Sequence, residues 1–454
     1  MRLGRVFGRR RSPADAHDHH GHDRHGHDRH GCVLEGEHGI RLGVRGVGNA
    51  SGGGAVVAAD TSIHVDDARV LRWFVMSEER LHVPATEPSL RVTTADGAPV
   101  VTQRIALPGG DASLTCWMVA DDGGTLVLEF VNESPRACAL IVDGPATRAG
   151  QQPRSVDAVP GVPASARSYS VGHRATLRLA VGRGTTDPGR LADADRVASG
   201  WIAASDAASR IDIPATTYAA ALVAARARIA VAHGHEWDEL LEVAPDLAVL
   251  GLAERTRMGE SLDEWIAPVA DAVARIGRTM RTTQGPHGRA HRALQQAAFA
   301  LRASNEERAA LDAAQLWARL ATTAVAPVPP DPLAGHDLAN PQRFDLVTAI
   351  DVAAGIEQRC VRAVSSDDGG GATIELFAPG FPASWRGVDG NVEGVCAGPR
   401  HTLSFAMRWH GERLAVLWES AGPAPVTIVA PRLDPTWSVT GTRGDALLAV
   451  TFAS

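Results

Sequence analysis

Lysine is absent from this chain, and every one of its 45 basic residues is an arginine. Without a lysine amine the chain cannot form a Schiff base with a carbonyl substrate or with pyridoxal phosphate. It also has neither a phosphate-loop lysine nor a kinase-type ATP lysine. The simplest origin of the bias is the codon usage of a GC-rich genome. Whatever its origin, the absence excludes several large classes of enzyme.

Long apolar runs, paired cysteines and an excess of basic charge are also missing. No stretch approaches about 18 uninterrupted apolar residues, so we expect no membrane partner. The N-terminal arginines are not followed by the ~7–15 apolar residues of a signal peptide, which predicts a cytoplasmic protein. A net charge of -7 argues against a nucleic-acid partner. The scattered cysteines predict reduced thiols, several of them in β-cores: Cys32, Cys116, Cys138, Cys360 and Cys396.

Histidine is concentrated near the N-terminus, where the pentapeptide GHDRH occurs twice. This segment has no apolar periodicity, so we expect residues 1–32 to form a disordered tail. Imidazoles interleaved with aspartates can bind Zn²⁺ or Ni²⁺ weakly, although the fixed spacing of a folded zinc site is missing. An inert, solubilising tail and a pH-dependent contact with the acidic body are the alternatives. The candidate metal ligands are His17, His19, His20, His22, His25, His27 and His30.

The rest of the chain divides into two β-rich blocks around a helical one. Residues 33–213 alternate apolar and polar positions between Gly and Asp turns, which predicts an antiparallel β-sandwich. Residues 214–326 change to a helical period and predict about five helices. Residues 327–342 are Pro-rich and predict a stiff linker. Residues 343–454 return to the β pattern of a second antiparallel sandwich. The fold class is therefore multidomain α+β.

Two local signals are the clearest. Ser261 and Glu264 have the spacing of a capping box, followed by a helix with a regular buried stripe. Residues 403–419 alternate apolar and polar positions on both sides of a turn that contains Gly411. This pattern predicts a β-hairpin.

Three segments resemble parts of a known group of enzymes. Thr125 to Asp143 (TLVLEFVNESPRACALIVD) resembles the strand pair that precedes the helices in glucoamylase- and maltose-phosphorylase-like enzymes. Leu376 to Trp385 (LFAPGFPASW) and Phe405 to Glu419 (FAMRWHGERLAVLWE) resemble the small β-domain that follows the helical ring there. As a layout, the resemblance covers most of residues 90–454. The chain also resembles actinobacterial proteins with the same abbreviated layout.

The helical block is short for that six-hairpin-glycosidase-like group. Ala215 to Thr323 contains about 109 residues. A closed double ring of about twelve helices, each ~11–12 residues long, needs roughly 180 residues with its connections. The resemblance implies a catalytic acid inside a complete ring. We therefore expect an incomplete α/α-toroid-like domain, and we transfer no catalytic residue to this chain.

Carboxylates in the helical block are the candidates for glycosidase chemistry. Such chemistry needs two carboxyl groups, about 5–5.5 Å apart for retention or about 6.5–9.5 Å apart for inversion. Glu254 and Glu264 are the weak catalytic candidates. Glu254 adjoins Arg255 and Arg257, which is typical of a solvated face, and the capping box already explains Glu264.

Histidine and tryptophan offer two further kinds of site. His233 and His235 lie where a helix is expected to end, a position that favours histidine through the helix dipole. His287 and His291 have the i,i+4 spacing of a metal pair but lack the intervening Glu of HExxH. We interpret both pairs as structural. Trp385, beside a Gly/Pro loop, is the candidate for stacking on a sugar ring.

Together these observations predict a non-catalytic relative of carbohydrate-active enzymes, a pseudoenzyme that binds a glycan or acts as a scaffold. They predict no cofactor apart from Zn or Ni bound weakly at the tail. The first alternative is a glycoside hydrolase or phosphorylase acting on α-glucans. The second is a metal-handling protein that works through the His-rich tail. A pocket with two facing carboxylates would favour the enzyme.

Overall fold

The computed structural model describes residues 39–44, 54–65, 68–156, 159–182, 184–282, 288–321, 333–366 and 372–451. Within them the chain is a mixed α+β protein with sheets at both ends and eight α-helices between. The His-rich tail, the linker prolines from Pro327 to Pro332, and His287 lie outside the described residues. Within the described part of the chain, no helix combines the length and the apolar character needed to cross a membrane.

The N-terminal region forms two antiparallel sheets. Its strands are β1 (Ile40–Leu42), β2 (Ala55–Val57), β3 (Ile63–His64), β4 (Val70–Ser77), β5 (Arg80–His82), β6 (Arg91–Ala95), β7 (Ala98–Leu107), β8 (Gly110–Val119), β9 (Thr125–Asn132), β10 (Cys138–Asp143), β11 (Thr147–Ala149), β12 (Arg154–Ser155), β13 (Arg167–Val171) and β14 (Thr176–Val181). One sheet has the order β1-β2-β3-β4-β10-β13-β12, with β5 beside β4, and the other has the order β11-β14-β9-β8-β7-β6. Apolar side chains from both sheets share one core around Trp73 and Phe130.

The helices extend beyond the predicted block at both ends. They are α1 (Ala194–Ala208), α2 (Thr216–Ala230), α3 (Gly234–Val243), α4 (Pro245–Arg257), α5 (Ile266–Thr282), α6 (Gly288–Ala303), α7 (Glu307–Ala321) and α8 (Leu346–Cys360). Six of them, α2 to α7, lie within residues 214–326, where the sequence predicted about five, and α1 and α8 lie outside that block. Both outlying helices begin at an aspartate cap: Asp193 accepts from the Arg196 amide at 2.8 Å, and Asp345 accepts from the Thr348 amide at 2.7 Å.

The predicted capping box is wrong. Ser261 Oγ accepts from the Asp263 amide at 3.1 Å, one residue too early, and a 3-10 turn then precedes α5. A reciprocal cap is found instead at the start of α3. There Glu236 Oε2 accepts from the backbone N–H of His233 at 2.8 Å. His233 thus begins a helix, whereas the sequence pattern placed it at the end of one.

The C-terminal region contains two further sheets. The strands are β15 (Arg210–Asp212), β16 (Val361–Ser366), β17 (Ala372–Leu376), β18 (Gly390–Gly398), β19 (His401–His410), β20 (Arg413–Ala421), β21 (Val426–Ala430), β22 (Asp434–Gly441) and β23 (Arg443–Ala449). The sheet orders are β15-β18-β19-β20-β23 and β16-β17-β21-β22. The predicted hairpin is confirmed, with His410 opposite Arg413. The expectation of purely antiparallel pairing is wrong, because β17 and β21 run parallel.

One continuous core joins the three regions. Apolar side chains run from Trp117 on the second N-terminal sheet, through the helices, to Phe405 and Trp418 in the C-terminal region. Strand β15 precedes α2 in the chain and pairs with β18, so it connects the helical region to the first C-terminal sheet through backbone hydrogen bonds. The helices therefore pack against β-structure on both sides.

The described cysteines are buried free thiols: Cys116, Cys138, Cys360 and Cys396. Cys32 lies outside the described residues.

Candidate functional site: a buried arginine–glutamate cluster

Five charged side chains meet in the interior of the helical region, and each is at most 9% exposed. They are Arg226 of α2, Glu254 and Arg257 of α4, Arg292 of α6 and Glu357 of α8. Three guanidinium groups and two carboxylates leave one net positive charge in this arginine–glutamate cluster. A buried charge is tolerated only when it is paired and hydrogen-bonded, so the contacts decide what the cluster can do.

Glu357 is the centre of the cluster. Arg257 pairs with both carboxylate oxygens: Nη1 donates to Oε2 at 2.8 Å, and Nη2 lies 2.7 Å from Oε1 in the ion pair. Arg226 Nη2 and Arg292 Nη2 each donate to Glu357 at 3.0 Å. The hydroxyl of Ser209 donates to Oε1 at 2.6 Å. Four side chains from four segments are therefore held by one carboxylate.

Glu254 bridges the same arginines, which corrects its prediction as part of a solvated face. It accepts from Arg226 Nε at 2.5 Å and from Arg257 Nη1 at 2.9 Å, and it is 6% exposed. The local Glu–x–x–Arg spacing on α4 is the same in a surface ion pair. The partner that distinguishes the two cases, Arg226, lies 28 residues away on another helix.

The arginines also bind the C-terminal end of α1. Arg226 Nη1 donates to the carbonyl oxygens of Ser205 at 2.8 Å and Ser209 at 2.7 Å. Arg257 Nη2 donates to the carbonyl of Ala208 at 2.7 Å. The last carbonyls of a helix lack intrahelical donors and carry partial negative charge. The cluster therefore ties α1 to α2, α4, α6 and α8.

The electrostatics of Glu357 do not suit a catalytic acid. Burial by itself raises the pKa of this carboxyl, but Arg257, Arg226 and Arg292 outweigh burial and hold the pKa below its usual range. A general acid at neutral pH needs a raised pKa, so that the carboxyl keeps its proton. The geometry therefore describes an ionised carboxylate neutralised by arginines.

A small cavity adjoins both carboxylates. Its volume is about 10 Å³, and Glu254, Glu357, Arg292 and Gln296 contribute to its lining. Arg292 Nε and Gln296 Oε1 are buried and have no hydrogen-bond partner within the described part of the chain. A site that holds one water needs about 10–15 Å³. The cavity has room for about one water molecule, and none for a sugar ring.

The other sequence candidates lie away from the cluster. Glu264 is exposed in the 3-10 turn that precedes α5. Trp385 is 4% exposed, with its ring centroid 5.1 Å from that of Phe381 and 6.1 Å from that of Phe377. The structure does not bring Glu254, Glu264 and Trp385 together into one site.

The histidine candidates form ring stacks. His233 and His235 stack with centroids 5.7 Å apart, and His291 stacks on Trp317 at 4.8 Å. Burial lowers the pKa of His291 to about 4, so the ring is neutral at pH 7. Among the described residues no group of three or more His, Cys, Asp or Glu side chains could hold a metal ion. The tail histidines lie outside those residues.

A second, surface feature lies at the end of the β19–β20 hairpin and was missed by the sequence reasoning. Eight of the ten tryptophans are buried, whereas Trp409 and Trp437 are only partly so. Trp409 Nε1 donates to the Val388 carbonyl at 3.0 Å, and its amide donates to Asp389 Oδ1 at 3.1 Å. Arg408 lies beside the same carboxylate, with Nε 3.7 Å from Asp389 Oδ2. We call these four residues the Trp409 corner. The turn next to Trp409 was the sequence signal available for its partial exposure.

Comparison with known proteins adds no relative: no protein-family model matches the chain, and no curated protein is significantly similar to it.

Proposed function

We propose that this chain is a non-catalytic binding or scaffold protein related in layout to carbohydrate-active enzymes. In this proposal the two β-regions are sandwiches, and the helices are an incomplete α/α toroid that positions them. One observation carries the proposal. An enzyme of this layout would need an active-site pocket among the helices. Here the helices instead enclose the arginine–glutamate cluster, beside a cavity of about 10 Å³.

The two facing carboxylates, Glu254 and Glu357, are the feature that would have favoured an enzyme. Both are neutralised by Arg226 and Arg257. An inverting pair must leave room for a water and a sugar, and a retaining pair needs a free nucleophile. Neither requirement fits carboxylates that accept several charged hydrogen bonds inside a packed core. The contacts therefore support a structural role for the pair.

The Trp409 corner is the surface on which we propose that a saccharide binds. A flat indole face beside a carboxylate and a guanidinium group supplies both the apolar contact and the polar groups that a sugar ring requires. The indole is held in place by its bond to the Val388 carbonyl. Trp385, which the sequence favoured for this role, is covered by phenylalanines.

A glycan array with the full chain tests the proposal. Trp409→Ala is expected to weaken binding to any glycan that the chain retains by about tenfold, which is a loss of about 1.4 kcal/mol, because the substitution removes the apolar face on which the sugar ring packs. Trp409→Phe should restore most of the affinity, and Trp437→Ala is the matched control for a partly exposed tryptophan. Glycan binding that Trp409→Ala leaves unchanged would contradict the proposed surface.

The proposal that the chain lacks catalytic activity is tested by a separate activity assay. Aryl glycosides and maltodextrins should show no turnover with the full chain. Turnover that the exposed Glu264→Gln abolishes, while the fold is intact by circular dichroism, would overturn the pseudoenzyme proposal.

A further inference from the structure

A separate cleft lies where the first N-terminal strand and the β6–β7 hairpin meet α2. Its volume is about 40 Å³, and residues 341–344 close one side. A single water needs about 10–15 Å³. The cleft therefore has room for a group of several heavy atoms. It shares no lining residue with the arginine–glutamate cluster.

Two guanidinium groups in this cleft share one carboxylate. Arg41 of β1 and Arg228 of α2 both line it, with side chains 29% and 13% exposed. Arg228 Nη2 is 2.5 Å from Glu236 Oε1, whereas Arg41 Nη1 is 3.6 Å from Glu236 Oε2. Among the described residues, these two positive charges face the single negative charge of Glu236, which leaves an excess of one positive charge.

The hydrogen bonds show the same imbalance. Glu236 Oε2 accepts from the His233 amide at 2.8 Å, whereas Arg41 Nη1, at 3.6 Å from the same oxygen, is beyond hydrogen-bond distance. Arg228 Nη1 is buried and has no hydrogen-bond partner among the described residues. Burial lowers the pKa of Arg41, and Glu236 offsets that effect only in part. A buried guanidinium donor without an acceptor is costly and marks a place where an acceptor would be stabilising.

Neutral polar groups complete the lining. Thr94 at the end of β6 and Gln342 both face the cleft. They offer a hydroxyl and an amide beside the two guanidinium groups, and amide and hydroxyl donors commonly fix the orientation of a bound group. The planar fork of arginine matches a carboxylate in the bidentate manner.

We propose that this cleft binds the carboxylate group of a small organic acid, between Arg41 and Arg228. The charge count over the described residues favours a monovalent oxyanion, because one negative charge balances the excess of one positive charge. The free N–H of Arg228 donates to the bound carboxylate, and Arg41 supplies the second guanidinium group. The site is independent of the Trp409 corner and of the saccharide proposal.

Isothermal titration calorimetry with acetate, at constant ionic strength and pH 7, tests this site on the full chain. We expect a dissociation constant on the order of 1 mM for so small a probe. Arg228→Gln and Arg41→Gln should each weaken binding by about tenfold or more, since a charged hydrogen bond is lost. Glu236→Gln should strengthen binding, because it removes the competing carboxylate. A role confined to folding would not produce this opposite effect.

Arg255→Gln is the matched control, because Arg255 is a partly buried arginine paired with one carboxylate, Glu260, outside the cleft. Its acetate affinity should equal that of the unmodified chain. If Arg228→Gln fails to fold, the more exposed Arg41→Gln carries the test. Absence of acetate binding, equal binding by the Arg41→Gln variant, or tighter binding of phosphate than of acetate would each overturn the proposal.

Discussion

Replacing Glu357 by glutamine tests whether the arginine–glutamate cluster holds the helices together. The substitution keeps the shape of the side chain but removes one of the two negative charges that face three arginines, so the net charge of the cluster rises from one to two. Both oxygens of Glu357 accept from guanidinium groups, Oε1 from Arg226, and Oε2 from Arg257 and Arg292. The new amide NH₂ must therefore face an N–H donor whichever way it is turned.

The expected loss is large. Removing one partner of a buried ion pair costs about 3–5 kcal/mol, because the other charge stays buried without compensation. Glu357 is 1% exposed, so bulk water cannot solvate the surplus positive charge. We expect the free energy of unfolding to fall by about 4 kcal/mol, out of a total that is about 5–15 kcal/mol in a typical domain. Urea unfolding followed by circular dichroism measures the loss.

Two further variants separate this effect from a general loss of helix stability. Glu307→Gln makes the same chemical change on α7, where the carboxylate is 56% exposed beside Arg302, and should cost about 0–1 kcal/mol. Arg292→Met in the Glu357→Gln background removes one surplus positive charge. It should recover at least about 1 kcal/mol of stability. A loss below about 1 kcal/mol in Glu357→Gln, or no recovery in the double variant, would refute the reasoning.

Two more predictions follow from single positions. His291, with a pKa of about 4 when folded, stays neutral where the unfolded chain, with a value near 6.5, takes up a proton. The free energy of unfolding should therefore fall by up to about 3 kcal/mol as the pH drops from 6.5 to 4. His291→Gln should remove that part of the pH dependence measured by urea unfolding. An unchanged pH dependence would contradict the lowered pKa of His291. At Gly97 (φ 84°), an added Cβ would lie 2.2 Å from the Ala220 carbonyl oxygen of α2. Gly97→Ala should cost at least about 2 kcal/mol. Gly123→Ala has a similar φ of 79° but open space and should cost only about 1 kcal/mol in the same assay, so equal losses would exclude the steric contact.

The elements that the sequence predicts well are those set by local pattern. The β19–β20 hairpin follows from alternation and a Gly turn, and the strands of residues 33–213 follow from the alternation between Gly and Asp turns. Helix α8 was missed because its apolar content resembles that of the β-block that follows it. Its Asp345 cap was the signal that could have located it.

The arginine–glutamate cluster depends on contacts that no local pattern contains. Arg226 and Glu357 are 131 residues apart in the chain. A cue was nevertheless present in the helices themselves. The residues from Leu247 to Ala253 of α4 are apolar or glycine, and every one of them is buried, so the helix has no solvated side in that stretch. A charged residue within a helix that is apolar all round is a candidate for a buried pair.

The lack of lysine and the chemistry of the cluster are connected through hydrogen-bond geometry. Arg226 reaches Glu254 through Nε, the end of α1 through Nη1, and Glu357 through Nη2. A guanidinium group does this with five donors in a fixed plane, whereas an ammonium group has three donors around one atom and loses its charge more readily when buried. Arg257 lies between both carboxylates, which raise its pKa further despite burial. Whatever produced the arginine bias, the cluster depends on arginine specifically. A lysine at position 226 could not satisfy two carboxylates and a helix end at the same time.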